Sequence, residues 1–238
     1  MKNIYLALAI LFITTSCNEN IINSGKGGDT CSDLLNRVDN DVLKYDPDIV
    51  ILMIGTNDML NSQSFVSFDN YRDSLTSLVS RIKEKNIELV LVSPPPCDTT
   101  YLFERHDKNQ FELNPNCKMS RLNKIIKTVA FQNDVHFVSV FDLFNHKEIP
   151  QHNRDKFIRN ISNSGAKDGV HPTKFGYELI ANFLYTYLKD NFQLTSGTKI
   201  VCFGDSITFG VHVRGEGTSK GDTYPAFIMR SINRLKHH

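Results

Sequence analysis

The sequence lacks several features that mark particular protein classes. Its formal net charge is only +1, which gives no electrostatic reason to expect a nucleic-acid partner. No period of roughly 20–50 residues repeats, so solenoids and propellers are excluded. None of the five cysteines has Cys-x-x-Cys spacing, which argues against a zinc or redox site. After residue 17, no apolar run is long enough to span a bilayer.

What the chain does contain is sufficient for a folded domain. Its 238 residues are 40% hydrophobic and include 16 Phe, enough for a sizeable core. The 22% of charged residues argues against disorder along the chain. This length suits one α/β domain or two small ones.

The N-terminal segment reads as a targeting signal. Lys2 precedes an apolar run over residues 4–13, and small polar residues then lead to Cys17. This pattern is typical of a secretory signal peptide. Residues 14–17 resemble a bacterial lipobox, with Thr14 where Leu is usual. We expect residues 1–16 to be a lipoprotein-type signal, Cys17 to be lipidated, and the protein to be exported to a bacterial cell envelope with a lipid anchor as its only membrane contact. The alternative is an ordinary signal peptide followed by an incidental Cys.

Export bears on the remaining cysteines. Cys97 and Cys117 bracket a polar, proline-containing loop, and we expect a disulfide that closes it. Cys31 stands at a predicted helix start and Cys202 in a predicted buried strand. Unpaired thiols are the expectation at those two positions.

Five apolar segments predict the strands of one parallel sheet. They are apolar on both faces and alternate with helical patterns, which indicates a sheet covered by helices on each side. The predicted strands cover residues 20–23, 48–54, 88–92, 135–141 and 199–203.

The segments between them carry apolar stripes at helical spacing. Predicted helices cover residues 30–44, 70–85, 120–132, 173–189 and 224–235, and the linker-like stretch covers residues 193–198. The alternation predicts an α/β fold, a three-layer doubly wound (flavodoxin-like) sandwich with a five-stranded parallel sheet. We expect residues 17–238 to form one domain.

Polar motifs follow three of the predicted strands, and a fourth precedes the helix over residues 173–189. We place all four at the edge of the sheet where sites form in doubly wound folds. They are Gly204-Asp205-Ser206, Gly25 to Asp29, Gly55-Thr56-Asn57-Asp58 and Asp168-Gly169-Val170-His171. Each is weak alone. Ser206 and Asn57 could be simple caps, the glycine-rich loop is an incomplete phosphate cradle, and Asp168 with His171 could be a solvated loop pair. Their convergence on one sheet edge predicts a nucleophile with its base and donors.

Together the four motifs resemble the signature blocks of SGNH (GDSL-type) serine hydrolases, and flanking elements extend the resemblance over the whole mature chain. The resemblance implies that Ser206 is the nucleophile, His171 the general base and Asp168 the group that orients His171. It also implies an oxyanion hole formed by the backbone N–H groups of Ser206 and Gly28 and the side chain of Asn57. Neither a cofactor nor a metal is implied.

The order of the motifs departs from the family. The serine block usually comes first, whereas here Ser206 follows His171. The sequence therefore predicts a circular permutation, in which residues 193–198 join the family's usual ends. Catalytic triads depend on geometry and not on chain order, so the permutation is compatible with activity. The alternative is a rearranged, inactive gene product.

The resemblance implies a serine esterase, with a carbohydrate O-acetylesterase as the leading interpretation and a small-molecule or carbohydrate ester as its partner. An imidazole base predicts activity that rises through roughly neutral pH. The competing interpretations are lysophospholipase-, thioesterase- or arylesterase-type acyl hydrolysis, acyl transfer to a sugar hydroxyl, and a non-catalytic glycan-binding lipoprotein. We expect the region 97–116 to overhang the site with Tyr101, Phe103, Arg105, His106 and Phe111.

Overall fold

Five short apolar segments form the strands that the sequence predicts. The structure, a computed structural model, describes residues 20–237; the predicted signal segment and Cys17 lie outside these residues. The strands are β1 (Ile21–Gly25), β2 (Ile49–Met53), β3 (Glu88–Ser93), β4 (His136–Ser139) and β5 (Ile200–Gly204). They pair in the order β1-β5-β2-β3-β4, and every pair is parallel. The predicted α/β fold with a five-stranded parallel sheet is confirmed.

The helices connect these strands. They are α1 (Cys31–Asp41), α2 (Thr56–Leu60), α3 (Phe68–Lys83), α4 (Thr99–Arg105), α5 (Pro115–Gln132), α6 (Val140–His146), α7 (Ile161–Ser164), α8 (Lys174–Asn191), α9 (Ser206–Phe209) and α10 (Tyr224–Asn233). The five long helices match the five predicted ones. Within residues 20–237, no helix combines the length and the apolar character needed to cross a membrane.

Two element boundaries differ from the prediction for identifiable reasons. Helix α5 begins at Pro115 because the Asn114 side chain accepts a hydrogen bond from the Asn116 N–H and Pro suits the first helical position. Strand β4 ends at Ser139 because its hydroxyl accepts the Asp142 N–H at 2.9 Å and caps α6. The apolar residues 140–141 therefore belong to a helix and not to the strand.

The sheet is covered on both faces by apolar side chains. Successive residues of β2 point to opposite faces, so Val50 and Leu52 pack with α1, α3 and α5. Ile49, Ile51 and Met53 pack with α6, α8 and α10. Burial of such a side chain stabilises the fold by about 1.5–3 kcal/mol. This core fixes the sheet whose edge carries the polar motifs.

The order of the strands in the sheet agrees with the predicted circular permutation. If strands are counted from β5, the order across the sheet becomes 2-1-3-4-5, the flavodoxin-like order of doubly wound folds. Strand β5 is the last in the chain and yet lies between β1 and β2. The final helix, α10, packs against α8 and β1. The C-terminal segment therefore completes the middle of the sheet.

The cysteine pairing expected from the sequence is corrected by the structure. Cys97 and Cys117 are both free thiols. Cys97 is buried, and its thiol donates to Asn116 Oδ1 at 3.5 Å, whereas Cys117 is exposed on α5. The early start of α5 turns Cys117 towards solvent. Cys31 and Cys202 are buried free thiols, as predicted.

Candidate active site

The predicted nucleophile lies at the end of β5, at the point where the strand order reverses. Ser206 is the first residue of α9, and the N-cap Asp205 accepts the Ile207 N–H at 2.9 Å. A Cβ atom at Gly204 would lie 2.1 Å from the Met53 carbonyl oxygen. Only glycine therefore allows β5 and β2 to approach this closely before the chain turns. Such a crevice is where doubly wound folds bind ligands.

Three predicted residues form a continuous hydrogen-bonded chain. Ser206 Oγ lies 3.1 Å from His171 Nε2, and His171 Nδ1 lies 2.9 Å from Asp168 Oδ2. With its Nδ1 proton donated to the carboxylate, the imidazole has Nε2 available to accept the serine hydroxyl proton. The backbone N–H groups of Val170 and His171 each donate to Asp168 Oδ1 at 2.9 Å. The carboxylate thus fixes both the loop and the ring.

Asp168 is held in its ionised form. Burial by itself raises the pKa of this carboxyl, but the hydrogen bond and charge of His171 and the two backbone N–H donors outweigh it, so the pKa lies well below the usual range. Arg159 Nε lies 3.6 Å from Asp168 Oδ2. Arg105 Nη2 donates to the Asp168 backbone oxygen at 2.7 Å. The site therefore favours a charged carboxylate beside the imidazole.

The expected oxyanion donors border the same crevice. Asn57, in α2, donates from Nδ2 to the Asp29 carbonyl at 2.9 Å. It also lines the cleft that contains Ser206. An amide nitrogen carries two N–H bonds, so one remains for a ligand. The glycine loop approaches as well: a Cβ at Gly27 would lie 4.0 Å from Ser206 Cβ, and Gly28 adopts a positive φ of 86°.

Two buried carboxyls beneath the site were not singled out from the sequence. Asp58, in α2, accepts the Cys31 N–H at 3.0 Å and so joins α2 to the start of α1. Burial raises the pKa of Asp58 to about 7 and that of Asp205 to about 6. Both residues belong to the sequence motifs described above. The spacing of residues within a motif does not, however, show which of its carboxyl groups are buried in the fold.

The cleft has a volume of about 320 Å³. Its lining is mostly polar and consists of Thr56, Asn57, Leu60, Asn61, Gln63, Leu102, Arg105, His106, Val170, His171 and Ser206. The region 97–116 therefore borders the cleft, through Leu102, Arg105 and His106. Its rings pack elsewhere: Tyr101 contacts His152, and Phe103 packs edge-on against Phe111 with centroids 5.4 Å apart.

A third imidazole beside the site escaped the sequence analysis. His212 packs edge-on against His171, with ring centroids 5.4 Å apart. Ligand atoms of Asp168, His171 and His212 lie within 4.8 Å of one another. This donor set suits a cation poorly, because Asp168 and His171 already hydrogen-bond each other and Arg159 lies beside the carboxylate. His212 comes six residues after Ser206 and belongs to none of the four motifs, so the sequence carries no signal that it lies at the site.

Comparisons with known proteins agree with this architecture. The chain is 25% identical over 169 residues to an acetylxylan esterase of Geobacillus stearothermophilus, covering 68% of each protein. It is 28% identical over 206 residues to a multidomain esterase of Ruminococcus flavefaciens, covering 82% of this chain and 23% of that protein.

Solved structures are similar in fold. A lipase/acylhydrolase from Enterococcus faecalis aligns with a TM-score of 0.54 at 22% identity, over 70% of this chain and 73% of that one. The family model matches residues 10–179 and thus ends before Ser206, as a permuted chain requires. By this match the chain belongs to the GDSL-like lipase/acylhydrolase family and is a carboxylic ester hydrolase.

Proposed function

We propose that this esterase removes acetyl groups from carbohydrates through a Ser206–His171–Asp168 triad. The observation that carries the proposal is the 3.1 Å contact between Ser206 Oγ and His171 Nε2, with His171 Nδ1 on the buried Asp168 carboxylate. A nucleophile, a base and a group that orients the base in this arrangement are the requirements for acyl transfer.

The reaction follows from the geometry. His171 accepts the hydroxyl proton as Ser206 Oγ attacks the ester carbonyl carbon, and a tetrahedral oxyanion forms. The backbone N–H groups of Ser206 and Gly28 and the Asn57 amide donate to this oxyanion, and one such donor contributes about 2.7–4 kcal/mol in the transition state. His171 then gives its proton to the sugar oxygen as the bond between that oxygen and the acetyl carbon breaks, which releases the sugar hydroxyl and leaves the acetyl group on Ser206 Oγ. Water, deprotonated by His171, attacks the acetyl carbon, and His171 returns this proton to Ser206 Oγ as the acyl bond breaks and acetate leaves.

The size and polarity of the cleft support a substrate that carries an acetyl group on a sugar. Its volume of about 320 Å³ and its polar lining match a small acyl group attached to a hydroxyl-rich alcohol. Asn61, Gln63 and His106 offer hydrogen-bonding groups to sugar hydroxyls. A long acyl chain would instead need an extended apolar groove. The acetylxylan esterase among the relatives agrees with this choice.

A fluorophosphonate probe and a panel of esters test the proposal. We expect the folded protein to be labelled at Ser206, to prefer p-nitrophenyl acetate over long acyl esters, and to release acetate from acetylated xylo-oligosaccharides. Ser206→Ala should abolish labelling and turnover, whereas Ser77→Ala, on the exposed face of α3, should leave both intact. Preference for long acyl chains would contradict the acetylesterase, and absence of any turnover would favour a glycan-binding protein.

We also propose that the chain is exported and anchored by a lipid on Cys17. The support is the order of Lys2, the apolar run over residues 4–13 and Cys17. Mass spectrometry of the membrane fraction should find a diacylglyceryl-modified N-terminal Cys17 peptide, which Cys17→Ser should eliminate. An unmodified mature protein in the soluble fraction would contradict the anchor.

A further inference from the structure

A second cavity adjoins the catalytic cleft on the far side of His212. It has a volume of about 360 Å³. His171 lines the first cavity and His212 the second, and the two rings are in edge-on contact with centroids 5.4 Å apart. A substrate larger than a single sugar could therefore occupy both cavities at once. We call this second space the basic cavity.

The lining of the basic cavity is strongly cationic. Lys156, Arg159, Lys174 and Arg214 contribute four positive charges, and Asp222 contributes the one carboxylate in the lining. Asp222 lies 3.7 Å from Lys174 and 3.4 Å from Arg214 and offsets one of these charges. Arg159 lies 3.6 Å from the ionised Asp168 carboxylate, which offsets a second charge. Two net positive charges remain in a protein whose overall charge is only +1. A concave surface of one sign concentrates ligands of the opposite charge.

Arg159 supplies directional donors at the boundary between the two cavities. Its side chain is mostly buried, and its Nε, which has no hydrogen-bond partner among the described residues, faces Asp168 Oδ2 at 3.6 Å. One of its terminal nitrogens, Nη1, contacts the His212 carbonyl at 3.4 Å. A guanidinium has five N–H donors in a planar fork that matches a carboxylate. The second terminal nitrogen, Nη2, has no hydrogen-bond partner among the described residues, so it can donate to an anionic ligand.

An aromatic surface lies next to these charges. Phe175, in the first turn of α8, is 49% exposed. Lys156 Nζ lies 4.9 Å from the centre of its ring. A sugar ring has apolar C–H faces as well as hydroxyls, so it can lie on an aromatic face while a charged substituent meets the lysine. The combination of the Phe175 ring and the Lys156 ammonium group therefore suits an acidic sugar better than a free inorganic anion.

The wall of the basic cavity is held rigidly. A Cβ at Gly221 would lie 2.1 Å from the Arg214 carbonyl oxygen, and the Asp222 N–H donates to that oxygen at 2.8 Å. His212 has a positive φ of 69°, which is rare for a residue with a side chain. The backbone of this wall is therefore fixed before a ligand binds, whereas the exposed side chain of Arg214 becomes ordered on binding.

We propose that the basic cavity binds the carboxylate of an acidic sugar in the same oligosaccharide whose acetyl ester reaches Ser206. The substrate class is thereby narrowed to acetylated oligosaccharides that carry a uronic acid near the ester. This inference rests on the proposed acetylesterase function and adds a specificity site to it. The carboxylate interacts with Arg159, Lys156 and Arg214, and Phe175 supports the sugar ring.

The test compares acetylated xylo-oligosaccharides with and without a neighbouring glucuronic acid. We expect the wild-type protein to have at least about tenfold higher kcat/KM for the acidic substrate, mainly through KM. Lys156→Gln/Arg214→Gln should remove this preference and leave the hydrolysis of p-nitrophenyl acetate unchanged. Lys124→Gln/Lys127→Gln, which removes the same charge from the exposed face of α5, is the matched control and should keep the preference.

Measurements of ligand affinity test the basic cavity independently of ester hydrolysis. Ser206→Ala should bind deacetylated xylotriose bearing one glucuronic acid more tightly than plain xylotriose, and raising the NaCl concentration should weaken only the acidic ligand. Equal affinity for the two ligands, or equal kcat/KM for the two substrates, would overturn the inference. If p-nitrophenyl acetate is still hydrolysed in that case, the proposed esterase function stands without it. If no ester is hydrolysed, the proposed function fails first, and the proposed substrate class fails with it.

Discussion

Ser206 Oγ lies 3.1 Å from His171 Nε2, although Ser206 comes 35 residues later in the chain. The contact depends on β5, because its last residue, Gly204, pairs with Gly25 of β1 and Met53 of β2. Insertion of β5 between these two strands places Ser206 opposite the loop that carries His171. The proposed catalytic site is therefore complete only when the C-terminal β5 occupies the middle of the sheet.

The role of Asp168 can be tested by changing its charge with little change in shape. Asp168→Asn should lower kcat by about 10⁴-fold, the size of the effect in serine proteases with this triad. An amide in place of the carboxylate donates to His171 Nδ1, so the proton moves to Nε2 and the ring can no longer accept the Ser206 proton. The amide oxygen can still accept the Val170 and His171 N–H groups, but the lowered pKa of Asp168 shows that its charge stabilises the fold, so the melting temperature should also fall.

Initial rates on p-nitrophenyl acetate and thermal unfolding measure both effects. Asp190→Asn, at an exposed position of α8, is the matched control and should retain full activity. A kcat within tenfold of wild type for Asp168→Asn would rule out this role for the carboxylate.

The proposed oxyanion hole predicts a selective loss in Asn57→Ala. We expect kcat to fall by about 10²–10³-fold with KM nearly unchanged, because the amide acts on the oxyanion and not on the bound ester. Asn61→Ala removes an amide that lines the same cleft and should affect mainly KM. A similar fall in kcat for both variants would argue that Asn57 has no special role. Because Asn57 also donates to the Asp29 carbonyl, thermal unfolding should accompany the kinetics.

The fold could be predicted because its strands are apolar on both faces and its motifs follow them. Met53 and Gly204, for example, end strands that the sequence marks as buried, and the parallel arrangement then brings Asn57 and Ser206 to one edge. This inference needs only local patterns and the rule that parallel strands end at the same edge. The permutation changed the order of the motifs but not their place on the sheet.

Other features depend on contacts that no local pattern encodes. Arg159 and His212 lie in irregular segments, and only the folded chain brings them to Asp168 and His171. The disulfide expectation failed because loop spacing does not show which way Cys117 points once α5 begins at Pro115. Side-chain direction in such segments is decided by tertiary packing.

The buried carboxyls predict that stability decreases as the pH rises. Burial raises the pKa of Asp58 to about 7, whereas an Asp in an unfolded chain titrates near 3.9. Between these values the folded state holds a proton that the unfolded state releases, so the free energy of unfolding falls as pH increases. This contribution is fully present below about pH 4 and is lost as the pH passes through 7.

Asp58→Asn should flatten this dependence. The amide oxygen can keep the hydrogen bond from the Cys31 N–H, so stability at pH 4, where wild-type Asp58 is protonated in the fold, should change little. At pH 8 the variant should be more stable than wild type, by up to about 4 kcal/mol at 1.4 kcal/mol per pKa unit. Urea unfolding at the two pH values measures this, with Asp69→Asn, an exposed carboxyl on α3, as the control. Parallel pH profiles for Asp58→Asn and wild type would contradict the buried titration.

The free thiols predict a specific labelling pattern. Burial raises the pKa of Cys97 to about 12 and also raises that of Cys202, so neither should react as a thiolate in the folded protein. Cys117 is exposed and should react rapidly with a thiol reagent. In a Cys17→Ser background we expect one fast thiol in the native state and four after unfolding in urea. If no thiol reacts without a reductant, the Cys97–Cys117 disulfide would be present after all.

Reversing the permutation tests how the C-terminal segment contributes to the site. The rearranged chain would begin at Thr198 and end at Gly197. A Gly/Ser linker of about eight residues would join residue 237 to residue 20. This arrangement would restore the family's usual order of motifs. The new ends lie in the turn after α8, where Gly197 is exposed and Thr198 is buried, and the new join lies near β1, against which α10 packs. Because every strand pair and the Ser206–His171 contact are retained, kcat/KM on p-nitrophenyl acetate should stay within about tenfold of the original. A permutant opened between Val90 and Leu91, inside the buried β3, should fail to fold. A folded but inactive protein with the restored order would show that chain order, and not geometry alone, controls the site.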